Sequence, residues 1–147
     1  MRRHLTLAAI GLTLAGAAFA HTGVKNAAVK ARMDGMSAIA AEMKTLGQMA
    51  KGDIAFDPVT AKAAAATIAK LAAETPILFE AEEDDPKSEA KAEIWDSFAD
   101  FTAKSDRLEV LALELSDSIA AERDLASAMK SLGATCQACH KDYREEN

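Results

Sequence analysis

The sequence predicts an all-α protein built as an antiparallel four-helix bundle. Half of its 147 residues are hydrophobic, only 5% are aromatic and alanine is abundant, a composition that favours close-packed helices. Apolar residues recur at steps of three and four along the chain, which is the spacing of amphipathic helices. Sustained over several turns, these steps give the packing angle of about 20° found in four-helix bundles. We expect one such domain over residues 21–147.

Residues 1–20 have the pattern of a cleaved secretory signal peptide. Arg2 and Arg3 precede an apolar stretch from Leu5 to Ala15, and Ala18-Phe19-Ala20 forms a small-residue cleavage site. The stretch is short for a membrane span, and the alternative is an uncleaved N-terminal anchor. Cleavage removes two of the 17 basic residues, so that 15 basic and 23 acidic residues leave a net charge of about −8. We expect an exported protein, periplasmic in a bacterium, that binds no nucleic acid and does not insert stably into membranes.

The first two helices are predicted from about Val24 to Ala50 and from Asp57-Pro58 to about Glu74. Gly52 would end the first, Asp57 would cap the second, and Pro76 would end it. The inward stripe of the first helix is predicted to be Val29, Met33, Met36, Ala40, Met43, Gly47 and Ala50. The inward positions of the second are predicted to be Ala65, Ile68 and Ala72.

An acidic segment without periodicity, Glu80 to Pro86, is predicted to be the long exposed loop. It is either a solvated surface or a docking patch for a basic partner. The third helix is predicted from a cap at Ser88 to about Ala120 and the fourth from about Arg123 to Arg144. The third helix would face inward with Ile94, Phe98, Phe101, Ser105, Leu108, Ala112, Leu115 and Ile119. The fourth would face inward with Leu125, Met129, Leu132, Cys136, Cys139 and Tyr143.

The fourth helix carries the motif Cys136-Gln137-Ala138-Cys139-His140. A CxxCH pattern is the attachment site of a c-type haem, in which each thiol adds to a haem vinyl group and the imidazole binds the iron. On a helix, positions i, i+3 and i+4 share one face, so both sulfurs and the ring would project together. The alternatives are a redox dithiol, a zinc site that lacks its remaining ligands, and a disulfide across a very short loop.

An all-helical exported chain with CxxCH in its C-terminal helix resembles the class II cytochromes c, the family of cytochrome c′ and its low-spin methionine-ligated relatives. The first-helix segment Val29-Lys30-Ala31-Arg32 with Met36 is similar to the family pattern of an arginine followed four residues on by the distal residue. Further similar segments are Met49-Ala50-Lys51-Gly52, Phe56-Asp57, Glu93-Ile94-Trp95 and Gly133-Ala134-Thr135-Cys136. The resemblance implies a four-helix bundle that holds one covalent haem c and often pairs as a homodimer.

The resemblance also implies roles for individual residues. Cys136 and Cys139 would form the thioether bonds, and His140 would be the proximal iron ligand. Arg32 would lie near a haem propionate, with a solvated arginine on the outer face of the helix as the alternative. Glu89 would lie at the haem edge, and Phe79 would pack against the haem or simply belong to the core.

The sixth coordination position separates two functions. Met36 falls at the distal position, where it is either an iron ligand or ordinary core packing. Ligation by Met36 would suit a single-electron carrier that exchanges electrons with redox proteins of the periplasm. An open position would suit a high-spin cytochrome c′ that binds NO or CO. A helical protein without haem is the third hypothesis. Since no residue set has a catalytic arrangement, we do not expect an enzyme.

Overall fold

The fold is a four-helix bundle, seen in a computed structural model that describes residues 23–146. Its long helices are α1 (Ala27–Ala50), α2 (Pro58–Leu78), α4 (Phe98–Ser118) and α5 (Leu125–Tyr143). A short helix α3 (Glu93–Asp96) precedes α4, and one 3₁₀ turn (Glu122–Asp124) precedes α5. The predicted fold class is therefore confirmed. The predicted signal peptide lies outside the described residues.

The four long helices form a ring in the order α1, α2, α4, α5. Each contacts the next, and α5 closes the ring against α1. The core at one end of the bundle is aliphatic, with Leu46, Ile68, Ile119, Leu125 and Leu132 fully buried. A second cluster at the other end is aromatic and contains Phe79, Ile94, Phe101 and Tyr143. Among residues 23–146, no helix is both long and apolar enough to span a membrane.

The two N-terminal helices begin where side chains can satisfy their first N–H groups. Asn26 accepts hydrogen bonds from the N–H groups of Ala28 and Val29 at the start of α1. Asp57 accepts from Thr60 N–H at the start of α2, as predicted. Gly52, just after α1, has a φ of +73°, a conformation that favours glycine. The predicted boundaries of α1 are confirmed to within three residues at the start and are the same at the end.

The prediction that Pro76 ends the second helix is wrong, since α2 continues to Leu78. Proline has no N–H, so the carbonyl of Ala72, four residues earlier, loses its usual helical donor. The Ser105 hydroxyl of α4 donates a hydrogen bond to this carbonyl at 2.7 Å. Ser105 itself is buried. A neighbouring helix therefore supplies the hydrogen bond that the proline removes, and α2 passes through Pro76.

The predicted cap at Ser88 and the single third helix are also wrong. Residues 88–91 run beside the end of α5 instead, where Lys91 N–H donates to the Tyr143 carbonyl and Glu145 N–H to the Glu89 carbonyl. The chain then forms α3, and Ser97, with φ −130° and ψ 42°, separates it from α4. The fourth helix likewise begins at Leu125 rather than Arg123, because residues 122–124 form the 3₁₀ turn.

We predict that Ser105→Ala lowers the free energy of unfolding by about 1–3 kcal/mol, because it leaves the buried Ala72 carbonyl without a donor. Urea denaturation of the purified protein measures this loss. The matched background is Pro76→Ala, which restores an N–H four residues after Ala72. Ser105→Ala should lower the free energy of unfolding clearly less in that background. An equal loss in both backgrounds would contradict the assignment.

Candidate haem-binding site

The attachment motif lies on one face of α5, as its spacing predicts. Cys136 and Cys139 are free thiols, both half-buried. Leu132, one turn before the motif, and Tyr143, one turn after it, are buried on the same side of the helix. These two anchors fix the rotation of α5, so that both sulfurs and part of the His140 side chain face into the bundle.

The face of α5 that carries the motif lines a cavity of about 580 Å³. This volume lies within the range of about 300–1,000 Å³ that is usual for ligand and cofactor sites. The walls come mainly from α1, α4 and α5, and the aromatic cluster lies at one end. The lining includes Val29, Met33, Met36, Ala40 and Met43 of α1, Phe101, Lys104 and Leu108 of α4, and Cys136, Cys139 and His140 of α5.

Burial sets the protonation of the three motif side chains. Burial raises the pKa of both thiols, for Cys139 to about 11, so both are protonated at neutral pH. Burial, and to a smaller extent the charge of Arg144, lowers the pKa of His140. The imidazole is therefore neutral at neutral pH, which is the form that binds metals. Two free thiols and a neutral imidazole thus meet at one wall of the cavity.

Most of the predicted inward stripe of α1 lines the cavity, and Val29 at its start is also fully buried. Met36 lies on this wall and is half-buried, as are Met33 and Met43. The other buried apolar positions of α1 are Ile39, Leu46 and Met49. The predicted stripe therefore identified the side of the helix that carries the site, and Met36, Met43 and Ala50 of this stripe also pack against the aliphatic core.

Arg32 is buried, with 3% of its surface exposed, so the alternative of a solvated arginine is wrong. Its guanidinium donates to the backbone carbonyls of Leu78 (2.9 Å), Glu83 (2.7 Å) and Ala81. It also lies 4.7 Å from the ring centre of Phe79 and 5.2 Å from that of Trp95. Arg32 therefore fastens the acidic loop to α1. It also lines the cavity, and its contact with a haem propionate stays a prediction.

Phe79 and Glu89 both line the cavity, next to the acidic loop. Phe79 is buried and packs against Phe101 with 5.0 Å between ring centres, so it belongs to the core and to the cavity wall together. Glu89 accepts a hydrogen bond from Arg144 Nε at 2.8 Å and forms an ion pair with Nη2 at 2.6 Å, which ties the segment after the loop to the end of α5. Their contacts with haem stay predictions.

The sequence analysis did not predict the positions of two charged residues in this region. Asp85, predicted to be exposed with the acidic loop, is buried and accepts hydrogen bonds from the N–H groups of Lys25, Asn26 and Lys87. Lys104 lines the cavity on α4, three residues after the inward-facing Phe101. That spacing is the only signal in the sequence, because a lysine beside an apolar stripe ordinarily extends into solvent.

Residues 27–144, which span all the helices, match the family model described as Cytochrome C'. The chain belongs to the cytochrome c′ family. It is 38% identical over 117 residues to a cytochrome c-556 of Agrobacterium tumefaciens, covering 79% of this chain and 95% of the relative. It is 34% identical over 151 residues to a cytochrome c' of Rhodospirillum rubrum, covering 99% of this chain and 100% of the relative. A solved cytochrome c prime of Shewanella frigidimarina superposes with a TM-score of 0.70 at 27% identity, covering 81% and 94% of the two chains.

Members of the cytochrome c′ family are haem c proteins that carry electrons, and haem c is the cofactor of this chain. The residues present fit that cofactor. The cavity has largely apolar walls, two unpaired thiols at haem-attachment spacing and an adjacent neutral imidazole. Arg32 and Lys104 supply positive charge at its wall. A zinc site is disfavoured because the described residues hold no group of three or more His, Cys, Asp or Glu side chains that could bind a metal.

We predict that Arg32→Lys loosens the acidic loop. Lysine keeps the charge but cannot donate to three separated carbonyls, so the loss should reach about 1.5–3 kcal/mol, the value of a hydrogen bond to a charged group. Amide hydrogen exchange should speed up across residues 79–85 while the C-terminal half of α1 stays protected. Lys30→Met is the control, since Lys30 is exposed and pairs with Asp34 on the surface of α1. Unchanged exchange of the loop in Arg32→Lys would contradict the assignment.

Lowering the pH should destabilise the same loop by protonating Asp85. The N–H groups of Asn26, Lys87 and Lys25 hold the pKa of this carboxyl below its ordinary value. A carboxyl with a depressed pKa stabilises the fold above its unfolded-state pKa of about 4, and this contribution is lost as the pH falls through the folded value. Urea denaturation between pH 6 and 2 should show this loss in the native chain and a flatter profile in Asp85→Asn. Parallel profiles would contradict it.

Proposed function

We propose that this protein is a periplasmic single-electron carrier with one covalent haem c, held by Cys136, Cys139 and His140 and ligated on its other side by Met36. The observation that supports this most strongly is the position of Met36 on the wall of the same cavity that receives the CxxCH motif. The bound haem iron supplies reversible one-electron oxidation and reduction.

The α5 wall would provide the attachment. Each thiol would add across one haem vinyl group, with sulfur bonding one carbon and the thiol hydrogen the other, so that no co-product would form. His140 would present its neutral ring nitrogen to the iron. Because Leu132 and Tyr143 are buried and hold α5 in the core, the helix would present these three side chains in a fixed orientation.

The α1 wall would decide between electron transfer and gas binding. A thioether is a soft ligand that favours ferrous haem and raises the reduction potential, which suits an electron carrier. With Met36 bound, no position is left for oxygen, NO or CO. If Met36 only packs, the same wall of Met33, Met36 and Met43 shields an open position, and the protein binds NO or CO.

The N-terminal segment supports a periplasmic location for the protein, and its negative surface charge suggests the kind of redox partner it binds. The predicted signal peptide and the covalent haem both favour the periplasm, because c-type haem is attached outside the cytoplasm. The acidic surface suits a redox partner with a basic face. The loop beside the cavity exposes four carboxylates, those of Glu80, Glu82, Glu83 and Asp84. Asp85 instead stabilises the fold through its hydrogen bonds to backbone N–H groups. Pairing as a homodimer stays a further proposal, drawn from the family resemblance.

The test is the optical spectrum of the purified protein, oxidised, reduced, and reduced under CO, for the native chain and Met36→Ala. The proposal predicts a low-spin native spectrum with a near-infrared sulfur-to-iron band and no response to CO. Removing the thioether opens the sixth position, so Met36→Ala should be high-spin and bind CO.

Met33→Ala is the matched control, since Met33 lies on the same wall one turn earlier. It should keep the native spectrum if Met36 is the ligand. A native protein that is already high-spin and binds CO would overturn the electron-carrier proposal in favour of gas binding.

A further inference from the structure

Three cationic side chains lie on the cavity wall, and each has different hydrogen-bond or ion-pair partners. Arg32 donates to the loop carbonyls, and Arg144 pairs with Glu89. Lys104 is the third cation on the wall, and only 16% of its side chain is exposed. An ammonium group with this little exposure on a largely apolar wall acts over a longer range than one in water, because the surroundings screen it weakly.

Two carboxylates and an aromatic ring fix the position of Lys104. Its Nζ lies 3.0 Å from Asp100 Oδ2 on α4 and 3.3 Å from Asp142 Oδ2 on α5. The Tyr143 hydroxyl donates to Asp100 Oδ2 at 2.6 Å, and the Tyr143 ring centre is 5.9 Å from the ammonium. Lys104 therefore bridges α4 to the segment of α5 that directly follows His140.

Lys104 lies on the wall of the cavity that also holds the attachment motif. Its side chain lines this cavity together with Cys139 and His140. Asp142, which holds the ammonium, is two residues from His140 along α5. The ammonium thus lies on the cavity wall, whereas Asp100 and Asp142, which hold it, are half-exposed.

We propose that Lys104 sets the reduction potential of the haem by stabilising the reduced state electrostatically. This inference rests on the proposed function, since it requires haem on the α5 wall. Reduction removes one positive charge from the iron centre, so a nearby fixed cation favours the reduced form and raises the potential. Asp100 and Asp142 hold the cation in place and partly oppose it.

The test is redox titration of the purified holoprotein. Lys104→Gln should lower the equilibrium constant for reduction about tenfold, a downward shift of about 59 mV for a one-electron couple. Lys70→Gln is the control with the same change of charge, because the Lys70 side chain is 75% exposed and pairs only weakly with Glu74 at 3.9 Å. It should change the constant less than twofold.

A second variant distinguishes an electrostatic effect from a structural one. Asp142→Asn removes a negative charge and keeps Lys104, so the reduction potential should rise. Loosening of the α4–α5 contact would instead shift the reduction potentials of both variants in the same direction. Shifts of opposite sign therefore support the inference, and Lys104→Met, which removes the same charge and keeps the apolar stem, replaces Lys104→Gln if that variant does not fold. Equal potentials, or shifts of one sign, would overturn the inference alone. A native protein without haem would instead overturn the proposed function.

Discussion

The structure depends on a single constraint, that one face of α5 serves both the core and the candidate haem cavity. Helical spacing places Leu132, Cys136, Cys139 and Tyr143 along that face. The two ends of the row are buried and its middle lines the cavity. Any rotation of α5 that moved the thiols out of the cavity would also expose Leu132 and Tyr143. The stability of the bundle and the geometry of the site are therefore determined together.

The rest of the bundle closes the cavity around this face. At one end the aromatic cluster, with Phe79, Phe101 and Tyr143, packs beneath the acidic loop. Arg32 ties that loop to α1, and Arg144 ties Glu89 to α5. The loop that carries the strongest negative charge is thus fixed beside the cavity by the buried Arg32, and the half-exposed Arg144 holds the segment that follows it. Electrostatic complementarity to a basic partner would act through this charged surface beside the cavity.

Periodicity and the CxxCH spacing were sufficient to predict the four helices, the cavity-facing motif and the wall that carries Met36. They failed where a side chain distant in sequence decides the local structure. Pro76 lies inside α2 because Ser105 satisfies the freed carbonyl of Ala72, and no pattern within α2 reports that. Asp85 is buried because it binds N–H groups some 60 residues earlier in the chain. The role of Lys104 depends on Asp142 and Tyr143 of another helix. Each of these is a tertiary contact, which local propensity does not encode.

The most direct test of this account is the intact mass of the denatured protein, produced in a host that attaches c-type haem. Covalent attachment through Cys136 and Cys139 predicts the mass of the processed chain plus one haem, with neither cysteine available to a thiol reagent. A denatured chain with no haem mass and two reactive thiols would contradict the account, because the cavity, its free thiols and the orientation of α5 would then serve some other purpose.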